Sequence, residues 1–137
     1  MARILICDDD PAICRLFETV LRRSGFEVVA TMSSADCLRS CEEYTPDLAM
    51  IDLILPITDG VELIKCLRAK FPKLQILVVS SAGSDQLYDA WMVGANMVIR
   101  KPLLPSLLTS TAWYLTSQTP PPEKPSFAQA LVPQSLH

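Results

Sequence analysis

The chain has 137 residues, of which 50% are hydrophobic and 20% are charged, and its formal net charge at pH 7 is −3. This length corresponds to one domain, and no uncharged apolar run approaches the roughly 20 residues of a membrane span, so we expect no membrane contact. Because lysines and arginines form no basic stripe, the composition also argues against direct binding to nucleic acid.

Apolar runs of strand length alternate with segments of helical periodicity along residues 3–116, which is typical of βαβ units and a parallel sheet. The predicted strands are residues 3–7, 27–31, 48–51, 75–79 and 97–99. Apolar residues recur at helical spacing in the segments that follow each strand, so the pattern predicts an α/β fold.

Capping and turn residues indicate where the helices begin and end. Asp10 is predicted as the N-cap of the first helix, with Pro11 at the first helical position, where a missing N–H loses no hydrogen bond. The other predicted boundaries are a stop at Ser24-Gly25, a second helix from Ser33 or Ser34 to about Tyr44, a third through Val61 ending before Pro72, a fourth at Ser84–Val93 and a fifth at about Leu104–Thr116.

The segment after the last helix differs in composition from the rest of the chain. Its three consecutive prolines, Pro120 to Pro122, cannot continue a helix. We therefore expect one folded domain at residues 1–117, a disordered tail at residues 118–137 and no second domain.

Acidic residues directly follow two of the predicted strands. Asp8 and Asp9 come after the first strand, and Asp52 comes after the third. Because open α/β sheets bind their ligands at the carboxyl ends of parallel strands, these carboxylates are expected to meet in one crevice. Clustered carboxylates need a cation, and hard oxygen ligands of this kind suit Mg²⁺. Asp10 is interpreted as a helix cap instead.

Two further polar groups follow the fourth and fifth strands. The fourth strand ends at Ser80 or Ser81, and the fifth leads into Lys101-Pro102. Carboxylates, a hydroxyl and an ammonium group would then converge at one sheet edge. Phosphoryl chemistry is the leading interpretation, because it depends mainly on positioning and on neutralisation of charge.

In their order and spacing, these segments resemble the receiver domain of response regulators in two-component signalling. The segments that carry the resemblance are Ile4–Pro11, Pro46–Asp52, Leu55–Gly60, Val79–Gly83, Gly94-Ala95 and Lys101-Pro102. The resemblance covers roughly residues 3–116. It implies a flavodoxin-like fold, with a five-stranded parallel sheet of order 2-1-3-4-5 and five helices.

The resemblance also implies a role for each site residue. Asp52 would accept a phosphoryl group from a histidine kinase or a histidine phosphotransfer protein. Lys101, on a bond to Pro102 that is usually cis in the family, would pair with a phosphoryl oxygen, and Ser80 would be the switch hydroxyl. The implied Mg²⁺ ligands are Asp8, Asp9, Asp52 and the backbone carbonyl of Ile54.

Some positions depart from the family pattern. Val98 stands where the family commonly has Tyr or Phe, so the usual coupling of an aromatic ring to the switch hydroxyl is not expected. Ile54 and Ala82 would frame the path of the hydrolytic water, and neither side chain can hydrogen-bond a water. Slow loss of the phosphoryl group is the expected result.

The face formed by the fourth helix, fifth strand and fifth helix is the expected partner surface, for a homodimer or a downstream protein. It would be apolar and would contain Met92, Val98, Leu104, Trp113 and Tyr114, because no charged residue lies between Pro102 and Pro122. An alternative is that the tail folds back over the two aromatic residues.

The helical spacing also assigns Leu104, Leu107, Leu108, Thr111 and Leu115 to the core.

Other function classes fit the residues less well. A haloacid-dehalogenase-type phosphatase needs a second aspartate two residues after the nucleophile, where this chain has Ile54. A flavin-binding electron carrier would not place carboxylates at its phosphate loop. The third alternative is a receiver-like scaffold that is not phosphorylated. The favoured interpretation is a single-domain response regulator that is not an enzyme but promotes its own phosphorylation and slow dephosphorylation.

The chain contains five cysteines without a CxxC pair, and its only histidine is His137, so a zinc site is not expected. The first residues lack the order of a signal peptide. We expect reduced thiols, buried as small hydrophobic residues, in a cytoplasmic protein.

Overall fold

The computed structural model describes residues 2–117, Phe127 and residues 131–132. The strands are β1 (Arg3–Cys7), β2 (Glu27–Thr31), β3 (Leu48–Ile51), β4 (Gln75–Ser80), β5 (Met97–Arg100) and β6 (Leu131–Val132). The helices in the described part are α1 (Pro11–Arg23), α2 (Ser34–Tyr44), α3 (Gly60–Lys70), α4 (Ser84–Met92) and α5 (Pro105–Thr116). In these residues no helix combines the length and the apolar character needed to cross a membrane.

All strands are parallel and lie in the order β2-β1-β3-β4-β5-β6. The predicted order of the first five strands is confirmed. The sixth strand was not predicted: it pairs with the outer edge of β5, with Leu131 beside Val98 and Val132 beside Ile99. An edge strand offers unpaired backbone groups that any extended segment can use. The rest of the expected disordered tail lies outside the described residues.

Every residue of β3 and β4 is buried, because helices cover both faces of the sheet. The helices α2, α3 and α4 pack on one face, and α1 and α5 pack on the other. Alternate residues of each strand therefore enter two separate cores: Leu5 faces the first, and Ile4 and Ile6 face the second. This arrangement leaves the carboxyl ends of the strands free for a site.

The cap of α1 forms as predicted. Asp10 has an extended backbone, and its Oδ1 accepts hydrogen bonds from the N–H groups of Ala12 at 2.9 Å and Ile13 at 3.4 Å. Pro11 occupies the first helical position. The Asp10 carboxylate is therefore used to cap the helix, whereas the carboxylates of Asp8 and Asp9 are not.

The start of α3 is held against the segment that follows β3. The N–H of Gly60 donates to the carbonyl of Leu53 at 3.1 Å. A Cβ atom on Gly60 would lie 2.3 Å from the Cα of Leu53, so only glycine permits this approach. The contact fixes the backbone immediately after Asp52.

The structure corrects the predicted face of α5. Leu104 was expected both on the apolar surface and in the core. It is 42% exposed, because the helix begins at Pro105 and Leu104 is its cap residue, so its assignment to the core is wrong. The residues buried along the helix are Leu108, Thr111, Ala112 and Leu115. Trp113 and Tyr114 are half-exposed, as expected.

Val98 is also corrected, since it was predicted on the partner surface. Its side chain is fully buried in the core beneath α2, α3 and α4. The reason is that alternate side chains of β5 enter opposite faces of the sheet, and that of Val98 enters the face covered by α2, α3 and α4. A side chain in this position cannot contact a partner.

All five cysteines are free thiols. Cys7, Cys14, Cys37 and Cys41 are buried, as expected for small hydrophobic residues. Cys66 is exposed on α3, so the expected burial of all the cysteines is wrong at this position.

Candidate functional site

The carboxylates meet at the edge of the sheet where β1 and β3 end. Cys7 pairs with Ile51 at the ends of these strands, and the N–H of Asp52 donates to the carbonyl of Cys7 at 2.9 Å. This register places Asp8 and Asp52 side by side. Carboxylate oxygens of Asp8, Asp9 and Asp52 lie within 4.8 Å of one another.

Lys101 joins the two buried carboxylates. Its Nζ lies 2.8 Å from Asp8 Oδ2 and 3.0 Å from Asp52 Oδ2. Asp8 is 3% exposed and Asp52 is 6% exposed, whereas Asp9 is open to solvent. A single ammonium group therefore bridges the ends of two strands from a residue that directly follows β5.

Each buried carboxylate also accepts a backbone hydrogen bond. Asp8 Oδ1 accepts from the N–H of Asp10, and Asp52 Oδ1 accepts from the N–H of Ile54, each at 3.0 Å. The side chains are thereby held in fixed directions by the turns that follow their strands. Hydrogen bonds to ionised groups of this kind are among the stronger ones in proteins.

Burial and charge act against each other in this site. Burial raises the pKa of Asp8 above its ordinary value, although the hydrogen bonds from Lys101 and from the N–H of Asp10 lower it. For Lys101, burial lowers the pKa, but the hydrogen bonds and charges of Asp8 and Asp52 outweigh burial and leave the pKa above its ordinary value. Lys101 is therefore firmly charged.

The donor set fits a divalent cation. The cluster holds three carboxylates and one ammonium group, which contacts two of them, so two negative charges remain uncompensated when all three are ionised. The ligand atoms are carboxylate oxygens, which Mg²⁺ prefers, and the exposed Asp9 leaves one side accessible to solvent and to a phosphate group. Asp8, Asp9 and Asp52 could hold such an ion.

Ser80 lies at the end of β4 and is fully buried, while Ser81 is exposed. The Ser80 hydroxyl accepts a hydrogen bond from the N–H of Ala82 at 3.2 Å, and its carbonyl accepts from the N–H of Lys101 at 3.0 Å. Among the described residues, no hydrogen bond joins its hydroxyl to the carboxylates. The peptide bond from Lys101 to Pro102 is cis.

The sequence did not point to Arg100. Its guanidinium donates to the carbonyl of Ala82 at 3.0 Å and to the hydroxyl of Ser84 at 2.9 Å. These hydrogen bonds tie the end of β5 to the loop that precedes α4. These hydrogen bonds could not be predicted from the residues next to Arg100, because the partners of Arg100 lie 16 and 18 residues away along the chain.

An open cavity lies away from this cluster. It measures about 570 Å³ and is lined by Asp47, Lys70, Gln75 and their neighbours, at the opposite edge of the sheet. None of the predicted site residues lines it. The chemistry of the side chains, and not the size of the cavity, identifies the carboxylate cluster as the site.

The fold and the cluster define a doubly wound α/β protein with its site at the carboxyl edge of the sheet. The chain belongs to the response regulator receiver domain family, whose model matches residues 4–112. Receiver domains are phosphoacceptors of two-component signalling and typically bind Mg²⁺ at such an aspartate cluster.

Relatives and solved structures agree with this assignment. The transcriptional regulatory protein PrrA of Mycobacterium bovis is 35% identical over 103 residues, which are 74% of this chain and 44% of that protein. The alkaline phosphatase synthesis transcriptional regulatory protein PhoP of Bacillus subtilis is 32% identical over 106 residues, 75% of this chain and 43% of that protein. The chain thus spans less than half the length of these relatives.

Among solved structures, a CheY-like response regulator receiver domain protein from Methanospirillum hungatei has a TM-score of 0.79 and 30% identity. The alignment covers 84% of this chain and 94% of that one. A two-component response regulator of the LuxR family from Aurantimonas has a TM-score of 0.78 and 28% identity, covering 95% of this chain and 94% of that one.

The cluster predicts a specific response to magnesium. At a Mg²⁺ concentration of about 100 times the Kd of the wild-type chain, the free energy of unfolding of the wild type should rise by about 2.7 kcal/mol. At the same Mg²⁺ concentration, the free energy of unfolding of Asp9→Ala should rise by less than about 1 kcal/mol. Without the metal, Asp9→Ala should fold normally, because removal of one like charge relieves repulsion. Urea denaturation with and without Mg²⁺ measures the stability of each protein and its change on metal binding. The control is Asp89→Ala, which replaces an exposed aspartate on α4. An equal gain in all three proteins would contradict the site.

Proposed function

We propose that this chain is a response regulator that accepts a phosphoryl group on Asp52 from the phosphohistidine of a histidine kinase or of a histidine phosphotransfer protein. The observation that carries the proposal is the convergence of Lys101 Nζ on Asp8 and Asp52, at 2.8 and 3.0 Å, in a buried cluster. We place this activity in the cytoplasm.

The proposed transfer needs little covalent work from the protein. A carboxylate oxygen of Asp52 bonds to the phosphorus, and the bond from phosphorus to the imidazole nitrogen of the donor breaks, with the electron pair leaving on that nitrogen. Lys101, already within 3.0 Å of Asp52, can turn to a phosphoryl oxygen. A carboxylate nucleophile needs no general base.

Bound Mg²⁺ would neutralise charge on the phosphoryl oxygens, as metals do in phosphoryl transfer. Asp8, Asp9, Asp52 and the backbone carbonyl of Ile54 are the proposed ligands. Ser80 is the proposed switch hydroxyl: its oxygen accepts from the N–H of Ala82, and its proton would be donated to a phosphoryl oxygen.

Asp52 is expected to be the single acceptor. With Mg²⁺ and a small phosphodonor such as acetyl phosphate, the wild-type chain should gain one phosphoryl group, and Asp52→Asn should gain none. Intact-mass spectrometry measures the difference, with Asp89→Asn as a matched surface control. Equal phosphorylation of Asp52→Asn would contradict the assignment, and an unmodified wild type would favour a non-phosphorylated scaffold.

The phosphoryl group is proposed to be lost slowly. Ile54 lies beside the acceptor and is 51% exposed, while Ala82, two positions after Ser80, is 3% exposed. By the resemblance, these positions frame the path of the hydrolytic water, and neither side chain donates or accepts a hydrogen bond. The chain would promote its own phosphorylation and this slow loss without acting on another substrate.

Ile54→Asn should shorten the lifetime of the phosphoryl group on the order of tenfold, about 1.4 kcal/mol of barrier, because an amide can align the attacking water. Ile57→Asn is the control, since Ile57 is in the same loop but 97% exposed. The decay of the phosphorylated mass after removal of the phosphodonor gives both rates. Equal lifetimes in the two variants would contradict this role for Ile54.

We propose that the signal passes through protein contact at exposed apolar side chains of two helices, Met92 on α4 and Trp113 and Tyr114 on α5. These side chains are 56%, 52% and 50% exposed. The Trp113 ring is fixed on one side by Phe26, with centroids 4.9 Å apart. Exposed aromatic surface of this kind tends to mark an interface with a second copy or a downstream protein.

The named relatives are transcriptional regulators, and MtrA of Mycolicibacterium smegmatis is a DNA-binding response regulator. This chain covers 47% of the length of that MtrA. Because its net charge is −3, we propose that this receiver domain does not itself contact nucleic acid.

Trp113→Ala should weaken self-association in the presence of phosphodonor by about tenfold or more, as expected for an aromatic anchor, with little dependence on salt. Analytical ultracentrifugation with and without phosphodonor measures it, and thermal unfolding checks the loss of the Phe26 contact. Ile57→Ala serves as the exposed apolar control. A chain that stays monomeric under both conditions would exclude the homodimer.

A further inference from the structure

The outer edge of β5 is occupied by part of the chain's own C-terminal segment, of which the structure describes Phe127, Leu131 and Val132. Within it, Leu131 and Val132 form β6, which pairs in parallel with Val98 and Ile99. This pairing uses the backbone groups that an edge strand otherwise leaves open. The segment therefore meets β5 in the way a bound peptide meets the edge of a sheet.

A ring cluster fixes the same segment at its other end. The ring of Phe127 meets Tyr88 edge-on with centroids 5.2 Å apart, and it meets Trp91 edge-on at 5.8 Å. Tyr88 and Trp91 lie one turn apart on α4, with their own centroids 6.2 Å apart. These separations fall within the range in which aromatic pairs attract beyond their buried area.

The two anchors act on one surface. Phe127 and Leu131 are both partly buried against the core cluster that contains Val98. The pairing with β5 and the contact with the α4 rings therefore come from residues only four positions apart in the chain.

We propose that the edge of β5, together with Tyr88 and Trp91, is a binding site for an extended segment with an aromatic residue four positions before an aliphatic pair. The chain's own C-terminal segment occupies this site in cis. While the cis segment is bound, it excludes a second copy of the segment from the site. The cis segment is favoured over a free copy because its covalent connection to the domain gives it a high effective concentration.

This inference stands apart from phosphorylation of Asp52. The site lies on β5 and α4, and its contacts involve neither the carboxylates nor Lys101. Detachment of the segment would expose the β5 edge and the two rings next to Met92. The C-terminal segment is thus a competitor for the part of the partner surface contributed by α4.

Peptide binding to the full-length chain tests the proposal. A fluorescent peptide with the sequence of residues 124–135 is titrated into the wild type and into Leu131→Asp, whose added charge cannot enter the apolar edge. With a cis effective concentration of about 1 mM and a peptide Kd below about 100 μM for the emptied site, the wild type should bind at least ~10-fold more weakly than the variant.

The controls separate this site from unspecific binding. Ile57→Asp makes the same kind of change at a side chain that is 97% exposed, and it should bind like the wild type. Phe127→Ala is a second detaching variant, and it should also bind the peptide more tightly. A peptide with both changes, Phe127→Ala and Leu131→Asp, should not bind any of the proteins.

Hydrogen exchange measures the pairing directly. Those amides of residues 97–100 that point toward β6 should exchange faster in Leu131→Asp than in the wild type and Ile57→Asp. Equal exchange in all three would overturn the cis pairing, and equal or absent peptide binding to the wild type and Leu131→Asp would overturn the site. No phosphodonor is present, so these outcomes leave the assignment of Asp52 untouched.

Discussion

The arrangement of the site depends on one ammonium group shared by two buried carboxylates. Asp8 follows β1, Asp52 follows β3 and Lys101 follows β5, so this contact joins the ends of three strands, with β4 lying between two of them. Two carboxylates this deeply buried would repel each other without a cation. Removal of Lys101 alone would leave that repulsion in place, which is the costly way to break a buried ion pair.

Much of this arrangement follows from simple features of the sequence. A polar residue directly after an apolar strand must lie at the carboxyl edge of a parallel sheet, and this rule placed Asp8, Asp52 and Lys101 together before any coordinates. Asp10 beside Pro11 marked the start of α1 just as reliably, because a cap depends on residues only two or three positions away. Local rules of this kind carry over directly into the fold.

Features that depend on distant partners were not visible in the sequence. β6 comes from a proline-rich segment that gave no sign of a strand. Arg68 shows the same limit: its guanidinium donates to the carbonyls of Leu74 and Gly94 and to Asn96 Oδ1, at 2.7 to 2.8 Å. Burial lowers the pKa of Arg68. The residues next to Arg68 in the sequence do not indicate that it forms these hydrogen bonds.

The distribution of the thiols offers a practical consequence. Cys66 is exposed on α3, whereas the four other cysteines are buried and out of reach of a reagent in solution. Since the thiolate is the reactive form, a maleimide dye at neutral pH would label Cys66 selectively without any substitution in the chain. This native attachment point lies on the helix that begins just after the Asp52 loop, so a fluorophore there could report on conformational changes of that loop in real time.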